Sequence, residues 1–196
     1  MGKRIVVGIS GATGIVLGVK TVHALLEAEY EIELVVSKGA LYTAAHELGE
    51  DFATTRRFVE RFGQGVTLHH QSDIGATICS GSHYTEGMVI IPCSMATVAA
   101  VAYGMGDNCL RRAADVTIKE RRPLVIVPRE TPFSTLHLEN MLKLSQLGAT
   151  IVPPVPAWYT NPESIGCVED FIVGKVLECF KISHSFYPPY EGYAAR

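Results

Sequence analysis

Short runs in which every position is apolar alternate along this chain with longer stretches in which apolar residues recur every three to four positions. RIVVGI at 4–9 is followed by a glycine-rich break, Gly11 to Gly14, and then by helical spacing over 15–28, which predicts strand, turn and helix. A second strand at 32–37 runs almost without a loop into a helix over 40–48, and 51–62 predicts a further short helix. A brief strand at 66–69 precedes a poorly patterned stretch at 71–86. GMVIIPC at 87–93 and PLVIVP at 123–128 are apolar on both alternations, as strands covered on both faces are. Helices are predicted over 94–103, 107–121, 134–147 and 163–180, with ATIVPP at 149–154 as one more strand. Residues 1–180 thus form a single α/β domain, and the Pro- and aromatic-rich segment 181–196 is expected to be a tail packed at a subunit interface.

Alternation of strand and helix throughout predicts three layers, with helices on both faces of a mostly parallel sheet. Such sheets place ligands beyond the carboxyl ends of their strands, near a switch in strand order. Scrutiny therefore falls on Ser10–Gly14, Ser37 and Lys38, Pro92–Thr97, Pro128–Thr131 and Pro153–Tyr159.

Composition narrows the function. A length of 196 residues fits one domain, and 17 Lys and Arg against 20 Asp and Glu give a net charge of -3, which provides no field for a nucleic-acid backbone. An apolar fraction of 47% predicts surface for subunits to cover, hence a homo-oligomer. No apolar run approaches the roughly 20 residues of a membrane span, and no signal peptide is evident. Cys79, Cys93, Cys109, Cys167 and Cys179 are odd in number and without CxxC pairing, which points to core thiols in a reducing compartment, the cytoplasm. The histidines lack HxxxH or HExxH spacing, so no metal is expected.

Six places invite a chemical reading. The turn GISGATG offers backbone N–H groups, the Ser10 and Thr13 hydroxyls and a helix N-terminus suited to an anion, yet has neither the GxGxxG nor the GxxxxGK[ST] spacing. Ser37 is either a hydroxyl contact to a ligand or an ordinary helix cap. Cys93 reads as packing rather than as a nucleophile. Arg129 and Glu130 directly follow an apolar strand, where an arginine clamps phosphate and a carboxylate exchanges protons, unless the two simply pair. Arg112 and Lys119 lie seven apart on one helix face, either a charged exterior or an anion clamp. Trp158, Tyr159, Phe186, Tyr187, Tyr190 and Tyr193 concentrate aromatic faces late in the chain.

GISGATG, VVSKGA, GMVIIPCSMATVAAVAYGMGDNCLRRAADVTIKERRPLVIVPRETP, HLENMLKLSQLGA and PPVPAWYTNP together closely resemble the flavin prenyltransferase family, from about residue 3 to 180. The resemblance implies a Rossmann-like or flavodoxin-like domain, assembled as a dodecamer. It implies that reduced FMN and dimethylallyl phosphate are joined without a metal, at flavin N5 and C6, and that the prenylated FMN serves a separate decarboxylase. On the matching motifs, Gly11, Ala12, Thr13, Ser37, Ser94, Met95, Thr97, Arg112 and Arg129 would contact the flavin. Lys119, Arg129, Glu130, Tyr159, Lys175 and Tyr190 would line the prenyl-phosphate side. Glu47, Lys119 and Glu130 would be catalytic, with Glu47 reaching in from an adjoining subunit. Three positions depart from the family: Ala96 stands where relatives commonly have lysine, Lys175 where they often have arginine, and Tyr190 where they often have tryptophan. Two other readings compete, a flavin-dependent cysteine decarboxylase, for which Asn108 offers a superficial match, and a non-enzymatic FMN carrier.

Overall fold

The computed structural model describes residues 2–190 and residue 192. Six strands, β1 (Arg4–Ile9), β2 (Glu31–Val36), β3 (Val66–His69), β4 (Met88–Cys93), β5 (Leu124–Pro128) and β6 (Thr150–Ile151), form one sheet in the order 3-2-1-4-5-6. Every pairing is parallel. This is the Rossmann order, and without the short edge strand β3 it is the flavodoxin order.

Alternate side chains of the strands feed two separate cores. Ile5, Val7 and Ile9 of β1, with Ile32, Leu34 and Val36 of β2, pack against α1 (Ile15–Glu27), α2 (Lys38–Leu48), α3 (Thr55–Glu60) and α7 (Ile165–Cys179). Val6, Val35, Met88, Ile90 and Ile126 point the other way, toward α4 (Met95–Ala102), α5 (Cys109–Lys119) and α6 (Thr135–Gln146). The three expected layers are thus present, and β4 and β5 are buried at every position.

Most elements fall where the periodicity puts them, and the differences have local causes. The stretch 51–62 divides into a single 3-10 turn, Glu50–Phe52, and α3, because Thr54 caps a new helix by accepting from Arg57 N–H. The last strand is confined to Thr150–Ile151, since Pro153 and Pro154 have no N–H with which to extend pairing against β5. The segment 181–190 folds back over α7 of its own chain: Ile182 is buried in the core, and a Cβ on Gly174 would lie 2.5 Å from the Tyr187 ring. Residues 191 and 193–196, including Tyr193, lie outside the described residues.

Candidate functional site

The chain leaves β1, builds β2 and β3 on one side, and returns to build β4 on the other, so the order reverses between β1 and β4. Ser10 stitches this point: its N–H donates to the Pro92 carbonyl at 3.1 Å, and its Oγ accepts from the Ser94 N–H at 2.8 Å. Beside it, the turns after β1 and β2 meet backbone to backbone. A Cβ on Gly11 would lie 2.9 Å from the Gly39 carbonyl carbon, which excludes any side chain there and leaves bare backbone at the strand ends. Ser37 and Ser94 both cap the helices that follow, accepting from Ala40 N–H at 3.0 Å and Thr97 N–H at 3.3 Å. Met95 and Thr97 are more than nine-tenths buried, whereas Thr13 and Ala96 are exposed. Cys93 is fully buried, and burial outweighs a Ser10 hydrogen bond to push its thiol up to about 12, consistent with packing.

Next to this platform opens a cavity of about 450 Å³, within the range of small-molecule sites. Thr13 and Gly14 after β1, Pro128–Thr131 after β5, Pro153–Val155 after β6 and Glu47 line it, and Ile165, Val168 and Ile172 of α7 give it an apolar wall. That wall follows from an i, i+3, i+7 spacing already visible in the sequence, although the reading of the strand ends did not include it.

Three carboxylates reach this cavity, each already engaged. Glu47 accepts from Gly14 N–H at 3.0 and 3.1 Å and from Ile15 N–H at 2.9 Å. Within its own chain, then, Glu47 sits at the α1 N-terminus and on the wall of this cavity. Glu130 accepts from Thr131 N–H at 3.0 Å, and Glu169 pairs with Lys20 at 2.9 Å. Arg129 stands apart from them. Its Nε is buried with no hydrogen-bond partner, and no carboxylate pairs with it among the described residues.

The remaining expected site residues lie elsewhere. Arg112, in the first half of α5, pairs with Asp115 at 2.8 Å. Tyr159 meets Tyr190 and Phe171 edge to face, with centroids 5.2 and 6.3 Å apart, on the outer side of α7. Lys175, one turn before the end of α7, pairs with Glu178. Lys119 ends α5 at the amino edge of the sheet and pairs with Glu120. The five-residue strand β5 between them spans about 17 Å, so Lys119 and Arg129 stand at opposite ends of the sheet within one chain. No group of three or more His, Cys, Asp or Glu side chains is placed to hold a metal among the described residues. Nor does any helix there have the length and apolarity to cross a membrane.

Comparison with known proteins agrees with this arrangement. The family model described as Flavoprotein matches residues 1–185. A flavin prenyltransferase UbiX of Chlamydia pneumoniae is 48% identical over 181 residues, covering 92% of this chain and 93% of the relative. The crystal structure of AnUbiX (PadA1) in complex with FMN and dimethylallyl pyrophosphate superposes with a TM-score of 0.91 at 40% identity, over 99% of this chain and 100% of that one. A dodecameric FMN-dependent UbiX-like decarboxylase from Escherichia coli O157:H7 gives 0.89 at 43% identity, over 96% and 100%. The parallel three-layer fold, the ligand platform at its switch point and this similarity over nearly the whole length establish that the chain belongs to the flavin prenyltransferase family.

Proposed function

We propose that this protein transfers the dimethylallyl group of dimethylallyl phosphate to reduced FMN, making prenylated FMN for a separate decarboxylase, and that it works in the cytoplasm as a dodecamer. The carrying observation is Arg129: a buried guanidinium Nε without an acceptor, in a cavity whose carboxylates are all otherwise held. A cation in that state is satisfied by an incoming anion.

The platform suits a ligand with a planar ring and a phosphate. The bare backbone of Gly11–Thr13, the hydroxyl of Ser37, the Ser94–Thr97 segment and Arg129 would hold FMN. Reduced FMN supplies the ring atoms N5 and C6 to which the five-carbon group becomes attached. Arg129 binds the allylic phosphate, and its charge stabilises the phosphate as the carbon–oxygen bond breaks, an effect that removes several kcal/mol from such barriers. Glu47 is a fixed negative charge on the cavity wall and favours positive charge on the allylic carbons. Val16, Leu17, Val168 and Ile172 keep water from those carbons. Glu130, beside Arg129, would take up the proton released on ring closure.

Lys119 would reach this cavity from a neighbouring copy, and Arg112, Tyr159, Lys175 and Tyr190 would complete the flavin and prenyl-phosphate contacts in the assembly. Topology supports that reading, because one chain holds Lys119 a full strand length from Arg129.

The test is anaerobic incubation with reduced FMN and dimethylallyl phosphate, then mass analysis of the extracted flavin. A gain of one C5H8 unit is expected. Unmodified flavin with both the phosphate and the diphosphate donor would overturn the assignment and favour the carrier reading.

A further inference from the structure

Five cysteines are free, and two of them touch. Cys79 ends a short 3-10 turn, Thr77–Cys79, and Cys109 is the first residue of α5. Their Sγ atoms lie 3.7 Å apart, across 30 positions of sequence. Cys109 is fully buried, while Cys79 keeps 8% of its surface exposed. The other three cysteines have different neighbours: Cys93 Sγ contacts the Ser94 carbonyl, Cys167 the Ser164 hydroxyl and Cys179 the Lys175 carbonyl. Packing alone requires only small apolar groups at 79 and 109. Two thiols in contact can also lose two hydrogens.

We propose that Cys79 and Cys109 form an oxidisable dithiol, a modification site at which peroxide closes a disulfide between the 77–79 turn and the start of α5. One sulfur attacks a peroxide oxygen, the O–O bond breaks, and a sulfenic acid and water result after proton transfer. The second sulfur then attacks the sulfenic sulfur, the S–S bond forms, the S–O bond breaks and a second water leaves. Overall two thiols and hydrogen peroxide give one disulfide and two waters. The sulfurs lose two electrons and the peroxide gains them.

A disulfide is about 2.05 Å long, so the sulfurs must approach by about 1.7 Å. The 77–79 turn is the partner able to yield, since it sits in the irregular stretch between β3 and β4, whereas α5 is fixed by its Asn108 cap. The bond would also act on the ligand platform. Cys109 N–H donates to the Gln71 carbonyl at 2.8 Å, and Gln71 Oε1 accepts from Lys38 N–H at 2.9 Å, directly after Ser37. Two hydrogen bonds therefore separate the dithiol from the turn that touches Gly11. Dioxygen meeting reduced flavin generates peroxide, so the oxidant arises where the proposed reaction runs. This source of peroxide rests on the proposed function; the cross-link does not.

Burial pushes both thiols up, and for Cys79 the contact with Cys109 and then the Arg112 charge oppose it in part. Because the thiolate is the attacking species, closure accelerates with pH by about tenfold per unit below the thiol pKa.

The test treats the purified, reduced, full-length protein with hydrogen peroxide between pH 7 and 9, traps remaining thiols with an alkylating agent under denaturing conditions, and maps peptides by mass. The expected product joins the Cys79 and Cys109 peptides, two hydrogens lighter than their sum, forms faster at the higher pH and is lost on adding dithiothreitol. It is expected to be missing from both Cys79→Ala and Cys109→Ala. Recovery of both residues as alkylated thiols, oxidation of either one alone to sulfinic acid, or its cross-linking to any other cysteine would overturn the proposal. No flavin enters this assay, so its outcome and that of the transferase assay fail independently.

Discussion

The two edges of the sheet differ in how completely their cations are matched. At the amino edge and along the lower half of α7, cations are matched: Lys119 with Glu120, Lys175 with Glu178, and Arg122 with the carbonyls of Gly81 and His83 at 2.7 and 2.8 Å. Under the same sheet half, Glu33 is buried between His69 and His83, at 2.5 and 3.1 Å. At the carboxyl edge Arg129 is left with a buried Nε and no acceptor. Paired charges hold parts of the chain together, whereas an unpaired one in a cavity is kept for something that arrives.

Removing the unpaired charge tests this contrast most strongly. Arg129→Met is expected to lower kcat/KM by about 10²–10³-fold, while thermal denaturation stays within about 0.5 kcal/mol of the parent because no partner is orphaned. A large loss of stability would make Arg129 a structural residue. Next, Glu130→Gln is expected to cut kcat by about 10²-fold with KM little changed, as loss of a proton acceptor should. A rise in KM alone would assign it to binding.

Glu33→Gln reverses the pattern, costing about 1–3 kcal/mol in denaturant unfolding with prenyl transfer retained in the folded fraction. Burial alone pushes the Glu33 carboxyl up, but hydrogen bonds from His69 and His83 outweigh it and leave the group below its ordinary value. Its contribution is therefore complete above the ordinary carboxylate range and is lost as pH falls through the lowered value, so the variant should show a flatter acid limb of stability against pH. The smallest effect is expected from Lys175→Arg, which restores a fork of donors and should lower KM for the allylic phosphate about two- to threefold. An unchanged KM would detach Lys175 from the phosphate.

Much of the fold was legible because doubly buried strands and amphipathic helices have different periods. GMVIIPC and PLVIVP announced β4 and β5, and the abrupt join of β2 to α2 was visible at Ser37. β6 was overestimated because ATIVPP is β-rich in side chains, and what it lacks is backbone donors. At the site, Arg129 and Glu130 could be picked out because charge after an apolar strand is conspicuous. The contact of Glu47 with the α1 N-terminus could not, since it depends on the last turn of α2 lying against Gly14, 33 residues away in sequence. Nor does spacing within α5 reveal that Lys119 ends at the far edge; that requires knowing which way the helix runs against the sheet.

This opposition of edges bears on inheritance. If each cavity takes Arg129 from one copy and Lys119 from another, a chain carrying Lys119→Ala still donates a sound Arg129, and a chain carrying Arg129→Met still donates a sound Lys119. Co-assembled in one cell, two inactive alleles would rebuild a share of intact cavities, and growth that depends on the prenylated flavin would return where neither allele alone sustains it.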